Sequence, residues 1–198
     1  EKYREKIDLS FITDIVEIKD DTWIASRDGL VKISNNLNTN PISFNFNPNE
    51  NSIVNNDIRD IDYDSTENNL WITTKGGISR YDLINDRFFN IRVTLFANSI
   101  IENEIENILV AEKSNQVWFT TSNYGGINLI TFNSNPDNNT IDTVFVNLQY
   151  DENDHTSIPD NNINTFIEDR AGNVWFGTAN NGLSLHSPLA SKFSSIKY

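Results

Sequence analysis

Two histidines and 28 carboxylic acids are the groups with which this 198-residue chain could move protons. His155 and His186 stand far apart, with no Ser-His-Asp order and no His-x-x-x-His pair. The absence of cysteine excludes disulfides, thiol nucleophiles and Cys-ligated metals. Asp151-Glu152-Asn153-Asp154 offers oxygen ligands for Ca²⁺. An EF-hand loop starting there would need Gly at its sixth position and Glu at its twelfth, and these are Thr156 and Asn162. Asp137 and Asp142 make a weaker case still. A glycoside-cleaving pair of carboxylates would be a pair meeting at one site, and no pair recurs along the chain. Asp60, Asp62, Glu168 and Asp169 read as turn and edge residues. The sequence therefore assigns no catalytic residue, no metal and no cofactor.

Binding has better candidates. Tyr124 and Asn123, preceded by Ser122, sit in one turn. Arg27, Asp28, Lys75, Asn180 and Asn181 fall in equivalent turns elsewhere. An aromatic face ringed by amides and charges suits a sugar. Solvated turns are the competing account of each single residue.

These turns are equivalent because the chain repeats. Trp23, Trp71, Trp118 and Trp175 are spaced 48, 47 and 57 residues apart. Each follows an Ile that opens a strand (Ile12, Ile58, Ile105, Ile163). Each precedes a glycine by six to eight residues (Gly29, Gly77, Gly126, Gly182). Leu or Ile follows every one of those glycines, and a Phe-bearing strand closes each unit. One unit is thus four antiparallel strands, here a, b, c and d. A period of roughly 40–50 residues with four strands is the signature of a β-propeller blade.

The predicted fold is all-β: four repeats of a four-stranded antiparallel sheet, over about 11–46, 58–91, 105–148 and 163–196, as one array across 1–198. Strand b is apolar at successive positions (Leu70-Trp71-Ile72, Val117-Trp118-Phe119), so both its faces are expected to be buried. Strand a has apolar residues three apart, Ile58 with Ile61 for example, which fits no half-exposed strand. The four tryptophans are expected in the core. Asn133–Thr143, the insertion behind the 57-residue spacing, reads as a mobile Asn-rich loop. Asn47–Asn56 and Asp151–Asn162 read as polar connections. Arg92–Asn103 reads as an extra strand or a buried loop, and residues 1–10 as a charged, frayed start.

A net charge of −13 argues against nucleic acid and against an anionic membrane surface as partners. No apolar run approaches the roughly 20 residues a membrane helix needs. The first ten residues lack the apolar core of a signal peptide. The chain contains no Met, so the expectation is a processed or excised piece.

The stretch INTFIEDRAGNVWFGTANNGL, Ile163 to Leu183, resembles the two-component regulator propeller repeat. NNLWITTKGGISRYD and NQVWFTTSNYGGINLI match it in blades two and three; Trp23-Ile24-Ala25-Ser26 in blade one is degenerate. The resemblance implies the periplasmic sensor part of a hybrid two-component histidine kinase/response regulator, normally a ring of seven blades. It implies a non-catalytic binding module with an oligosaccharide as ligand. A propeller lyase or glycosidase, or a structural dimerisation module, are the alternatives. Four blades leave a bare face at each end, to be covered by further blades or by a second copy of the chain.

Overall fold

The computed structural model describes residues 9–34, 39–93, 100–135, 140–187 and 193–196. All regular elements among them are strands, grouped in four antiparallel sheets of four. Blade one holds β1 (Ile12–Ile18), β2 (Asp21–Ser26), β3 (Gly29–Ser34) and β4 (Ile42–Phe44). Blade two holds β5 (Ile58–Asp64), β6 (Asn69–Thr74), β7 (Gly77–Asp82) and β8 (Arg87–Ile91). Blade three holds β9 (Ile105–Ala111), β10 (Gln116–Thr121), β11 (Ile127–Asn135) and β12 (Thr140–Leu148). Blade four holds β13 (Ile163–Glu168), β14 (Val174–Thr178), β15 (Leu183–His186) and β16 (Phe193–Ile196). In every sheet the strands hydrogen-bond in chain order. The chain divides into two compact units, Glu1–Arg92 with Asn103–Ile108, and Val93–Glu102 with Leu109–Tyr198.

The three-residue apolar spacing of strand a has a local cause. The pairing of β5 with β6 shifts between Ile58 and Asp60, and β1 and β13 shift at the matching places. A bulge sets two residues of one strand against one of its partner, so positions three apart can share a face. Ile58 and Ile61 are accordingly both buried.

The tight turns are closed by short side chains. Asp64 Oδ1 accepts from the amides of Thr66 and Glu67, and Asp82 Oδ1 from those of Ile84 and Asn85. Asp169 Oδ1 accepts from those of Ala171 and Asn173. Asn68, Asp86 and Asn115 take the positive φ that these turns require and that Asn and Asp tolerate.

In the first unit the core joins Trp23, Leu30, Ile58, Ile61, Leu70, Ile72, Tyr81 and Phe88. Trp23 stacks on Phe44 at 5.4 Å and meets Tyr81 of the following blade at 5.6 Å. The second unit repeats the device. Trp118 packs against Phe176 at 5.3 Å and against His186, at the position matching Tyr81, at 4.9 Å. One blade's tryptophan is thus covered by strand c of the next blade. Trp23, Trp71 and Trp118 are buried, on b strands as expected.

Trp175 is the exception. It lies on β14 but is only half-buried, and its indole N–H donates to Asp169 Oδ2 at 2.9 Å. Within this chain no later blade supplies the covering strand. Blade one shows the complementary departure, because Ile12 and Ile15 on strand a are exposed while their counterparts Ile58 and Ile61 are buried.

Two further expectations need correcting. The insertion in blade three is mostly strand: β11 and β12 each run to nine residues, paired from Ile127↔Leu148 out to Asn135↔Thr140. Asn-rich composition reads as loop, but ladder hydrogen bonds satisfy the backbone equally well. The polar connections also carry a buried anchor. Ile53 and Ile158 are each almost fully buried, and each joins its unit's core. The expectations for 1–8 and for 94–99 lie outside the described residues.

Candidate functional site

The b–c turns and the connections that enter strand a are stitched together at one end of each blade. Arg27 N–H donates to Phe11 O, Lys75 N–H to Asp57 O, and Ala179 N–H to Asn162 O. Gly126 N–H donates likewise to Asn161 O. The acceptors sit immediately before, or one residue short of, strands β1, β5, β13 and β13 respectively.

A hydroxyl at the end of strand b shapes the turn. Ser26 Oγ donates to Gly29 O and accepts from Asp28 N–H. Thr74 Oγ1 does the same with Gly77 O and Gly76 N–H. Thr178 Oγ1 repeats it with Gly182 O and Asn181 N–H. This is the physical content of the Ser/Thr that closes the Trp-containing core in blades one, two and four; in blade three Thr121 Oγ1 is buried without a hydrogen-bond partner. A hydroxyl that turns back on its own backbone leaves the outer side chains of the turn free to project.

In the first unit the candidate cations are engaged. Arg59 lies 3.2 Å from Asp57, 3.1 Å from Glu104 and 3.6 Å from Glu106. Arg27 reaches Asp57 at 3.9 Å and Lys75 reaches Glu104 at 3.9 Å. The result is one string, Arg27–Asp57–Arg59–Glu104–Lys75. Asp28 accepts from the amide and the hydroxyl of Ser10, which hold its carboxyl below the usual range. Sequence reasoning named Arg27, Asp28 and Lys75 but missed Asp57, Arg59 and Glu104. The available signal was the alternation of charge around Ile58 (Asp57, Arg59, Asp60) and the run of acids around Ile105 (Glu102, Glu104, Glu106).

In the second unit Glu102 accepts from Ser122 Oγ at 3.3 Å and from Asn123 Nδ2. The turn is pinned from below by Gly125, where a Cβ would fall 2.0 Å from Thr121 Oγ1. Asn147 Nδ2 donates to Gly125 O at 2.8 Å. Tyr124 at the crest has φ 56 and is 67% exposed. Left-handed backbone in a bulky residue costs energy and marks a turn whose shape is over-determined by its surroundings. Asn180 donates through its amide N–H and its Nδ2 to Asp160 Oδ2, at 3.2 and 3.0 Å. The side chain of Asn123 is thus tied to Glu102 and that of Asn180 to Asp160, while the Tyr124 ring stands open.

Beside these turns each unit has a shallow groove along its strand-a connection. One, of about 420 Å³, is lined by Phe46, Asn47, Glu50, Asn51 and Phe88 among others. The other, of about 530 Å³, is lined by Tyr150, Asp151, Asp154, His155 and Phe193 among others. Phe46 and Tyr150 occupy equivalent places, 43% and 51% exposed. In each case an Asn Oδ1 (Asn56, Asn161) accepts from the backbone N–H at 2.6 Å. His186 stands apart from this end's chemistry. It packs on Trp118 and Phe193, and burial pushes its imidazole down from the ordinary value. Among the described residues no group of three or more His, Asp or Glu is placed to hold a metal.

Residues 157–180 match the family model described as two component regulator propeller. No curated protein matches the sequence. Among solved structures, the chain resembles the extracellular domain assigned to the hybrid two component system BT3049 of B. thetaiotaomicron. That match has a TM-score of 0.72 at 19% identity, over 97% of this chain and 25% of that one. It resembles the extracellular domain assigned to the system BT4673 of the same organism equally well, at TM-score 0.72 and 22% identity over 98% and 26%. PorZ, a surface component of the type-IX secretion system of Porphyromonas gingivalis, follows at TM-score 0.66 and 16% identity, over 98% and 28%. The chain therefore spans about a quarter of the length of these structures, and its four sheets are β-propeller blades.

Proposed function

The chain carries the two component regulator propeller repeat, and from that premise we propose that it is a non-catalytic, extracytoplasmic sensor segment of a hybrid two component receptor. Its ligand is an uncharged oligosaccharide, taken at the end that carries the b–c turns. One observation carries this reading: the Tyr124 ring is exposed on a turn that Glu102, Gly125 and Asn147 hold in one shape. A fixed aromatic face is what a pyranose ring stacks on, and fixing it beforehand removes the ordering cost. The uncharged character follows from the string of ion pairs. In the first unit Arg27, Arg59 and Lys75 already face Asp57, Glu104 and Glu106, so none of these three is left for an anionic sugar, and in the second unit the group clamping the Tyr124 turn is an acid, Glu102.

The test is calorimetry of the complete receptor ectodomain against a panel of neutral and acidic oligosaccharides. A neutral member is expected to bind, and Tyr124→Ala to weaken it by about 1 kcal/mol, roughly fivefold. Unchanged affinity in the variant removes Tyr124 from the site; binding confined to acidic sugars removes the charge argument.

An enzyme reading would need two carboxyls about 5–10 Å apart across the cleavage site.

The same reading extends to partners. Ile12, Ile15 and Ile42 on blade one, and Ile167 and Leu183 on blade four, are exposed apolar side chains on sheets. Further blades, three more in a seven-blade ring, would cover them; in isolation a second copy of the chain would do so. Light scattering is expected to report a dimer or larger for the isolated 198-residue chain. A stable monomer would show that four blades suffice.

A further inference from the structure

Among the described residues, six other than glycine have positive φ: Phe11, Lys19, Asn68, Asp86, Asn115 and Tyr124. Lys19, Asn68, Asp86 and Asn115 lie in the tight a–b and c–d turns. Phe11 and Tyr124 differ from these. Both are aromatic, with φ 52 and 56, and both stand at the end that carries the b–c turns. They are 74% and 67% exposed. Left-handed backbone in a bulky residue costs energy, and an outlier held against that cost points to function.

The register of strand a shows that Phe11 does not sit at a core position. It directly precedes Ile12, and the residues that precede Ile58, Ile105 and Ile163 are Asp57, Glu104 and Asn162. None of those three has a positive φ. Blade one alone puts an aromatic ring where the other blades put an acid or an amide.

The ring is held in place by its neighbours. Phe11 O accepts from Arg27 N–H at 3.3 Å. Ser10 donates to Asp28 Oδ2 through its N–H, at 3.0 Å, and through its hydroxyl. The Arg27 guanidinium lies over the Phe11 ring, 5.8 Å from its centroid, and is itself 3.9 Å from Asp57. Asp28 Oδ1 has no partner among the described residues. An aromatic ring backed by a guanidinium, with a free carboxylate oxygen in the adjoining turn, offers a sugar both a stacking face and an acceptor for its hydroxyls.

We propose, on the same reading of the chain as a sensor of neutral oligosaccharides, that Phe11 is a second saccharide platform, with Asp28 accepting from a sugar hydroxyl. Arg27 backs the ring and stays engaged with Asp57, so the subsite suits an uncharged sugar. Each unit then offers one preformed aromatic face, Phe11 in the first and Tyr124 in the second, and neither has to be ordered on binding.

The test is calorimetry of the complete receptor ectodomain against short linear glucan, mannan, galactan, xylan and fructan oligosaccharides. Phe11→Leu keeps apolar bulk and removes the aromatic face. It is expected to weaken the tightest-binding of these about fivefold, as for one lost stacking contact. Phe11→Tyr keeps the face and is expected to bind as the parent does. The urea midpoint is expected to be the same in all three proteins, because the ring is exposed. Unchanged affinity in Phe11→Leu, or an equal loss in Phe11→Tyr, overturns the platform. So does a lower urea midpoint in Phe11→Leu, which would mean that the ring packs on a neighbouring segment. If Tyr124→Ala weakens binding and Phe11→Leu does not, the sugar reading stands and the Phe11 platform falls. If the parent binds none of these oligosaccharides, both fall.

Discussion

Replacing Trp118 by alanine is expected to lower the stability of the chain by about 3–5 kcal/mol, the range for emptying a packed aromatic site. The same change at Trp175 is expected to cost about 1–2 kcal/mol, the scale of one lost hydrogen bond with modest packing. The two residues occupy one place in the repeat and differ in what covers them. Trp118 is fully buried under Phe176 and His186 of the next blade, and its removal would leave a hole that those rings cannot close without leaving their strands. Trp175 is half-buried, and its defined polar partner is Asp169. Urea unfolding followed by far-ultraviolet circular dichroism would measure both. Equal losses would mean that Trp175 is covered in solution as Trp118 is here. In a longer chain whose further blade packs on blade four, the two costs should converge.

Gly77→Ala is expected to be the second large loss, about 3 kcal/mol or more, from backbone strain and a steric clash acting together. Gly77 has φ 127, a conformation that residues with a Cβ rarely adopt. A Cβ there would stand 2.3 Å from Ile91 O, a backbone atom held in the β7–β8 ladder. Gly126 repeats the contact at a φ of 76, its Cβ position 2.3 Å from Leu148 O. The control is Gly172→Ala. Its φ of 84 is also strained, but the nearest atom is Lys113 Cβ at 3.3 Å, a contact relieved by a shift of a few tenths of an ångström. It is expected to lose only about 1–2 kcal/mol. The comparison is read from urea midpoints at constant slope; similar losses at Gly77 and Gly172 would show that the clash with Ile91 O is relieved by movement of β8.

The glycines show how far the sequence could be read. Their spacing after each tryptophan marks a turn, and the turn is there. The other half of their meaning, a carbonyl from strand d passing where a side chain would be, appears only when strand c meets strand d. Strand a is a similar case. Ile58 and Ile61 could be recognised as core residues, yet the bulge that turns them to one face is a property of the pairing with β6. Ile53 and Ile158 looked like isolated apolar residues in polar connections. The signal was present, because each follows a Ser and precedes the Ile of strand a by five residues. In the candidate site, Tyr124 could be singled out by its type and its place in the longest b–c turn, whereas its clamp, Glu102, lies on another segment.

By itself the sequence determined what acts over a few residues. Four copies of a hydrophobic b strand and a glycine-closed turn, with Asx-closed a–b turns in blades two and four, fix the strand order within each sheet, and with it the blade. These signals are local, because strand propensity, side-chain alternation and turn chemistry are set by near neighbours. Tertiary structure decided everything that depends on which strands lie side by side. Arg59 and Glu104 look like two scattered charges in the sequence, and they become an ion pair at 3.1 Å only because the start of β5 and the residue before β9 are brought together. Trp118 and Trp175 carry the same letter in the same register, and the presence or absence of a covering strand gives them different burial. Charge and burial are properties of the surroundings of a side chain, and those surroundings come from segments one whole repeat away.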